Sequence, residues 1–308
     1  MRFFINLFNT SFSLKKNFSL YSLMFVMMLS FSQTNSLQQQ YISEIKTFQQ
    51  KRIANLKKET GWLNLAGLFL LQEGENTFGA SVKNKLVFPK GKCPSFMGKL
   101  VLNNKQVSVE IKNGVAVWND KKKISKAIIY KNEEEEPLVL NYKSLRWFVI
   151  KRGNDFYVRL RDLESNNLKT FKEIPTYPID MNWKIEATLD TTTKNKIEVN
   201  DVLGNTNLEE SAGTLVFTIN GITYRLDALD EGDNLFVIFA DTTNETETYY
   251  TGRFLIASKP DANGKVYLDF NKATNPPCAF TDFATCPLPP KQNILSVSIT
   301  AGEKRVGK

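Results

Sequence analysis

The stretch DFNKATNPPCAFTDFATCPLPPKQNILSVSITAGEK, residues 269–304, contains five prolines and two cysteines. Proline has no backbone N–H and fixes φ, so neither a helix nor a central strand can run through its middle. The alternating residues on either side, 266–271 and 294–300, predict β-strands. A loop of this length in a compact domain is usually functional or disordered, and Phe280 and Leu288 supply apolar anchors that favour order. We therefore expect an ordered loop between two strands.

Cys278 and Cys286 lie eight positions apart in this loop, close enough for a local disulfide in an oxidising compartment. Three interpretations of the loop are open: a stapled cover over one end of a β-sheet, a rigid wall of a binding pocket, and a redox-active pair. The third is the least favoured, because the loop has no Cys-x-x-Cys motif. Cys93 is then the odd thiol, which we expect to be a buried small hydrophobe.

The rest of the chain also has the period-two pattern of β-strands from residue 73 onward. The clearest hairpins are residues 145–151 with 156–162, and residues 214–219 with 222–229 across Asn220-Gly221. In the strand 156–162, one face carries apolar residues and the opposite face carries Tyr157, Arg159 and Arg161. Residues 61–71 are apolar enough to be buried, but their pattern does not distinguish a short helix from a strand.

These patterns predict an all-β protein, a sandwich or a barrel, with one N-terminal amphipathic helix. The helix is assigned to residues 33–60 because its apolar side recurs at helical spacing, through Tyr41, Ile45, Phe48, Arg52 and Leu56. Gly61 is a natural stop. The β domain covers residues 61–308, and two prolines within 172–180 suggest a division there into two subdomains.

Residues 1–32 have the features of a signal peptide. Lys15 and Lys16 precede an apolar run shorter than a membrane span, and Ser30-x-Ser32 offers a cleavage site of small residues. Because fourteen residues precede the lysine pair, a further hypothesis is that translation starts at Leu14. No cysteine lies at the cleavage site, so we expect an exported periplasmic or extracellular protein that is not a lipoprotein and keeps no transmembrane anchor.

Composition excludes several chemistries. The chain has no histidine, which removes Ser-His-Asp and Cys-His catalysis and His-based zinc sites. Without the predicted leader it carries 37 basic and 32 acidic residues, a net charge of +5 that is too mild and dispersed to indicate nucleic-acid binding. No glycine-rich phosphate loop follows a strand, and we predict neither a metal nor a cofactor.

Several motifs resemble one bacterial family, known as domain of unknown function 1684. They are GWLNLAGL at 61–68, GRFL at 252–255, DFN at 269–271, and NPPCAF, ATCPLPP and AGEK between 275 and 304. The resemblance runs from about residue 60 to 304. It implies membership in an uncharacterised family and carries no catalytic roles.

A polar cluster beside the proline loop is the candidate site. If the strands 247–257 and 266–271 are neighbours, their polar faces and the loop would bring together Asp241, Tyr249, Arg253, Asp269, Asn271, Asn275, Glu303 and Lys304. The cluster could be an Arg–Asp network that pins the loop, or a pocket for a small anionic or sugar-like ligand. A polar hairpin turn explains residues 241–247 better than a calcium loop, because the EF-hand order and glycine are missing.

Two classes of function follow. The first is a non-catalytic ligand-binding or structural protein of the cell envelope. The second is a hydrolase that uses paired carboxylates from among Asp241, Asp269 and Glu303, with a glycan as the expected substrate. The binding class predicts one polar cluster at the mouth of a pocket. The hydrolase class predicts two carboxylates in a cleft, one of them with a raised pKa.

Overall fold

The computed structural model describes residues 36–193 and 195–307, so the predicted signal peptide lies outside the described residues. The chain divides into two compact units, Met1–Phe48 and Gln49–Lys308. The described part of the first unit is helical, and this helix, α1, runs through residues 36–57. The N-terminal helix is thus confirmed, and it ends three residues before the predicted boundary. None of the helices in the described ranges has the length and apolarity that crossing a bilayer requires.

The second unit is mainly β-sheet, as predicted. Its first half contains strands β1 to β11 and the short helix α2 (Asn166–Thr170). The open question of residues 61–71 is decided in favour of a strand, β1. The strands are β1 (Leu65–Leu70), β2 (Gly74–Gly79), β3 (Leu86–Val87), β4 (Gly98–Asn103), β5 (Gln106–Ile111), β6 (Val117–Asn119), β7 (Lys122–Ile124), β8 (Lys126–Tyr130), β9 (Leu140–Tyr142), β10 (Leu145–Arg152) and β11 (Asp155–Asp162).

Two sheets enclose the core of this half. Among the described residues they have the orders β1-β11-β10-β9-β6-β7 and β3-β2-β4-β5-β8. The apolar faces of both sheets meet around Trp147, Phe78 and Phe88, which are almost completely buried. Cys93 packs against this core but is only partly buried, which falls short of the full burial expected, and the burial raises its pKa to about 11.

The second half contains seven strands within the described ranges. They are β12 (Lys184–Asp190), β13 (Lys196–Asn200), β14 (Thr206–Ile219), β15 (Ile222–Glu231), β16 (Asn234–Phe239), β17 (Arg253–Ser258) and β18 (Lys265–Asp269). Their order is β17-β16-β15-β14-β12-β18, and β13 pairs with β14. Because β17 and β18 also lie beside each other, the sheet forms a nearly closed, barrel-like structure. The Asn220-Gly221 hairpin is confirmed, since Ile219 pairs with Ile222.

A second core, around Phe239, Phe270 and Leu215, fills this barrel-like sheet. It is separate from the core of the first half. The predicted division near residues 172–180 lies between the two sets of strands, and it stays a prediction.

The predicted strand at 294–300 was wrong. Ile294 makes one isolated bridge with Ala240, and the rest of the segment is irregular. The physical reason is that its backbone groups are used by side chains: the Ile299 carbonyl accepts a hydrogen bond from Arg253, and the Ile299 N–H donates to Asp241. Groups bound in this way are not available for a ladder with another strand.

Candidate functional site

Arg253 is the centre of the predicted cluster, and it is completely buried at the start of β17. Its Nη2 lies 2.7 Å from Asp241 Oδ2 and donates to the Ile299 carbonyl at 2.9 Å. Its Nη1 donates to the Ala301 carbonyl at 2.5 Å. A buried charge pair of this kind is stable only when further hydrogen bonds satisfy it, and here they tie the C-terminal segment to the barrel-like sheet. This arrangement is the Arg–Asp network of the first alternative.

Glu303 is held in a second buried network. Its Oε2 accepts the Asn275 N–H at 2.6 Å, and its Oε1 accepts the Nε–H of Arg52 at 3.1 Å. Arg52 also donates to the Asn275 carbonyl at 2.8 Å, and the Asn275 side chain donates to the Lys304 carbonyl. Burial raises the pKa of Glu303, and the Arg52 guanidinium opposes this shift. Helix α1, the proline loop and the C-terminus therefore meet at one carboxylate.

The other predicted residues make contacts outside these two networks. Asp269 lies 3.6 Å from the Lys272 ammonium, and Asn271 exchanges hydrogen bonds with the backbone of Asp180. Tyr249 does not share a strand face with Arg253, because β17 begins only at Arg253. Its ring packs against Tyr250 with centroids 4.7 Å apart, and burial raises its pKa.

Asp241 and Lys304 make the remaining contacts of the predicted site residues. Asp241, besides pairing with Arg253, caps the short helix Thr242–Glu245 by accepting the Thr243 N–H at 2.9 Å. Lys304 pairs at the surface with Glu247, 2.9 Å away. The segment that was considered as a calcium loop is therefore a capped turn.

Two glycines of the family motifs lie where backbones cross. Gly252 has φ 107°, and a Cβ there would lie 2.5 Å from the Phe239 carbonyl oxygen and 2.7 Å from the Pro289 ring. Gly302 has φ 78°, and a Cβ there would lie 2.7 Å from the Phe270 carbonyl oxygen. Only glycine fits such positions without displacing backbone. The GRFL and AGEK motifs thus mark close packing around the Arg253 network.

A cavity of about 470 Å³ lies beside the proline loop. One wall is the loop stretch 279–282, and another is formed by residues 170–173, at and after the end of α2, together with Pro175. Phe171 and Phe280 both line it, and their rings contact each other edge to face, with centroids 6.2 Å apart. The remaining lining residues are Leu63, Asn167, Val306 and Gly307. A second cavity of about 470 Å³ lies by the acidic run 133–136.

Helix α1 supplies a cation to each of these rings. The Arg52 guanidinium carbon is 5.5 Å from the Phe280 ring centroid, and the Lys57 ammonium is 5.6 Å from that of Phe171. Cation–π contacts of this kind are worth about 0.5–2 kcal/mol each, depending on exposure. The Glu303 network therefore holds Arg52, and Arg52 holds one wall of the cavity.

None of the eight predicted site residues lines either cavity described above. Asn275 and Glu303 lie behind the wall, in contact with Arg52. Sequence reasoning placed Arg52 only in the apolar stripe of the helix, and a charged residue in such a stripe was the signal that it has a buried partner. No sequence signal singled out Phe171.

The Sγ atoms of Cys278 and Cys286 lie 2.32 Å apart, at disulfide distance. The pair closes the part of the loop that contributes the wall stretch 279–282. The loop is also tied to the strand hairpin β13–β14, because the Leu288 N–H donates to the Asn200 carbonyl at 2.7 Å. This position fits the wall interpretation and the cover interpretation together.

The fold and these networks define a mainly β protein with a loop-walled cavity. Residues 169–304 match the family described as "Protein of unknown function (DUF1684)", and this part of the chain belongs to that family. The match is narrower than the resemblance from residue 60, so GWLNLAGL lies outside it. No match is found among curated proteins.

Among solved structures, nine chains match. One is the solution NMR structure of an uncharacterised protein of Haloarcula marismortui. It is 31% identical, the alignment covers 44% of this chain and 78% of that chain, and the TM-score is 0.37.

Proposed function

We propose that this protein is a non-catalytic binding protein that takes a small ligand into the cavity lined by Phe171 and Phe280. The observation that carries the proposal is the cavity itself. Its volume of about 470 Å³ lies within the roughly 300–1,000 Å³ of typical ligand sites. One wall belongs to a loop fixed by a cysteine pair and by Glu303, so the shape exists before a ligand arrives. Such preorganisation lowers the entropic cost of binding.

The lining favours a sugar-like ligand. Phe171 and Phe280 provide apolar ring surface, whereas the rim carries the amide of Asn167, the hydroxyl of Thr281 and the carboxylate of Glu173. A sugar presents an apolar face of C–H groups and a ring of hydroxyls, and it requires both kinds of surface. The lining carries charges of both signs, Glu173 and Asp282 with Lys172, so it offers no one-sided positive charge that would select a small anion.

The alternative of a carboxylate hydrolase has less support. Glu303 has a raised pKa, as that alternative expects of an acid, but both of its oxygens accept hydrogen bonds from Arg52 and Asn275. Asp241 is buried against Arg253. A glycosidase needs two carboxyl groups that face one cleft, about 5–10 Å apart. Neither Glu303 nor Asp241 lines either cavity described above.

We also propose that the protein is exported. The leader pattern of residues 1–32 supports this, and so does a cysteine pair at disulfide distance, since disulfides persist in oxidising compartments. Mass spectrometry of the protein from its native host would check the proposal. A mature N-terminus near Gln33, with two fewer free thiols than the three cysteines allow, is expected. A retained leader and three free thiols would contradict it.

The binding proposal is tested by saturation-transfer difference NMR with a panel of mono- and disaccharides. We expect binding by at least one sugar, and a loss of at least tenfold in affinity in Phe171→Ala, because the variant removes one ring of the cavity.

Tyr267→Ala is the matched control. Tyr267 is also a surface aromatic ring with a lysine beside it, Lys184 at 5.7 Å, but it lies on β18 and does not line the cavity. Its affinity should equal that of the wild type. Absence of any sugar binding, or equal binding by Phe171→Ala, would reject the proposal.

A further inference from the structure

Arg159 and Arg161 lie on the face of β11 that points away from the core of the first half. Both are buried, with 7% and 9% of their surface exposed. In the register of the sheet, Arg159 pairs with Leu68 on β1 and Phe148 on β10, and Arg161 pairs with Arg146. Arginine is almost never buried unless it is paired. This face therefore needs an explanation that the cavity and the Arg253 network do not supply.

The GWLN stretch at 61–64 surrounds these two arginines. Arg161 donates through Nη1 to the Gly61 carbonyl and, at 2.8 Å, to Asn64 Oδ1. The Arg159 guanidinium lies 5.6 Å from the Trp62 ring centroid. All of these partners are neutral. The motif therefore orients the two guanidinium groups without neutralising their charge.

Arg159 has no hydrogen-bond acceptor within residues 36–193 and 195–307. Its Nε is fully buried without a partner, and its two Nη atoms make no hydrogen bond to any described residue. No carboxylate of these ranges forms an ion pair with Arg159 or Arg161. Burial and the nearby Arg152 and Arg161 lower the pKa of Arg159 to about 10. The five N–H donors of the Arg159 guanidinium are thus without acceptors in the described residues.

We propose that Arg159 and Arg161 form a binding site for a phosphate group, separate from the sugar-like site of the cavity. A phosphate carries a charge of about −1.5 to −2 at pH 7, which matches two guanidinium groups better than a carboxylate does. Its oxygens suit the planar fork of arginine, which binds them in bidentate fashion. The Trp62 ring, 5.6 Å from the Arg159 guanidinium, packs beside the proposed site.

Thermal unfolding of the full protein with sodium phosphate tests this site, with sodium chloride at equal ionic strength as reference. At a hundredfold excess over Kd, phosphate should raise Tm by about 5 °C or more. Glycerol phosphate tests whether the phosphate is recognised as part of an ester. Sodium acetate should give less than half of the shift, because a carboxylate carries one charge.

Arg159→Met keeps the length of the side chain and removes the charge. It should abolish the phosphate-induced shift and, without phosphate, raise Tm above that of the wild type, because an unpaired buried charge is lost. Arg146→Met is the matched control: Arg146 lies on the same face opposite Arg161, but its Nη1 is used by the carbonyls of Lys143 and Leu145. It should keep the full shift.

Two results would overturn the proposal. One is a phosphate shift of equal size in the wild type and in Arg159→Met. The other is no phosphate shift in the wild type; a lower Tm in Arg159→Met would then make Arg159 a structural cation that packs on Trp62. If Arg159→Met does not fold, Arg159→Lys replaces it: a point charge without the fork should reduce phosphate affinity at least tenfold, and an unchanged affinity would reject the site.

Discussion

Arg253 and Arg159 are both buried arginines on β-strands, yet their surroundings are opposite. Arg253 has a carboxylate 2.7 Å away and donates to the carbonyls of Ile299 and Ala301. Arg159 has a tryptophan ring on one side and no acceptor in the described residues. The Nε of each lacks an acceptor, so the difference lies in the Nη groups.

This comparison separates a structural charge from a candidate binding charge. Burying a charge is costly unless partners within the protein compensate for it. The Arg253 network is compensated by the chain and has no requirement for a ligand. Arg159 is not compensated in this way, so its burial destabilises the protein unless an outside anion binds. The predictions below test the two halves of this contrast.

The largest effect is expected at Arg253. Arg253→Met would leave the Asp241 carboxylate buried without its cation, so the free energy of unfolding should fall by about 3–5 kcal/mol. Urea denaturation measures it. Arg225→Met, at an exposed arginine on β15, is the control and should stay within about 0.5 kcal/mol of the wild type. A loss below 1 kcal/mol at Arg253 would mean that its network does not hold the C-terminal segment.

The cysteine pair should come next. Replacing Cys278 and Cys286 by serine opens a short ring, and the loop-entropy model gives a loss of about 2–3 kcal/mol. Urea denaturation with and without a reductant measures it, because reduction should remove the difference between wild type and variant. Cys93→Ser is the control whose stability should be independent of the reductant. If the double serine variant is as stable as the oxidised wild type, the hydrogen bonds of the loop are sufficient to hold it without the cysteine pair.

Glu303 gives a smaller effect that depends on pH. Its pKa is raised in the folded protein, so the folded state holds this proton more tightly than the unfolded chain does. Its contribution to stability is therefore fully present below the ordinary pKa of 4.5 and is lost as the pH rises through the folded pKa. The wild type should therefore lose stability relative to Glu303→Gln as the pH rises. The difference in unfolding free energy between the two proteins, measured from pH 4 to 8, checks this.

Arg52→Met supplies the check on that reasoning. The Arg52 guanidinium opposes the rise in the pKa of Glu303, so its removal should extend the loss of stability to higher pH. If the wild type instead becomes more stable relative to Glu303→Gln as the pH rises, the ion pair with Arg52 outweighs the cost of burying the Glu303 carboxylate.

The smallest effect is expected at the surface pair of Lys304 and Glu247. Glu247→Gln should change Tm by less than about 1 °C, because exposed ion pairs contribute little and are screened by salt. Thermal unfolding at low and high salt measures it. A larger, salt-independent loss would show that Lys304 belongs to the buried network after all.

The sequence allowed a correct prediction of much of the fold for local reasons. The hairpin at Asn220-Gly221 depends on turn residues, and β10 and β11 depend on an alternating pattern over adjacent residues. The strand assigned to 294–300 failed for a non-local reason. Its pattern was right for a strand, but Arg253 and Asp241, more than 45 positions away in sequence, use its backbone groups.

The candidate site shows the same limit. Asp241 and Arg253 were placed together correctly because Asp241 follows β16, Arg253 begins β17, and these two strands are neighbours in sequence and in the sheet. The cavity was not foreseen, since Phe171 and Phe280 are 109 positions apart and neither lies in a motif with a known role. Arg159 was assigned to the outer face of its strand, but burial of that face depends on what covers it.

The sequence by itself determined the predominance of β-strands, the N-terminal helix, the absence of histidine chemistry and the local reach of Cys278 to Cys286. Those features depend on residue type and short spacings. Only the tertiary structure decided that Arg253 is satisfied and Arg159 is not. A guanidinium group has the same chemistry at both positions, and its energy depends on the acceptors that distant parts of the chain bring within about 3 Å.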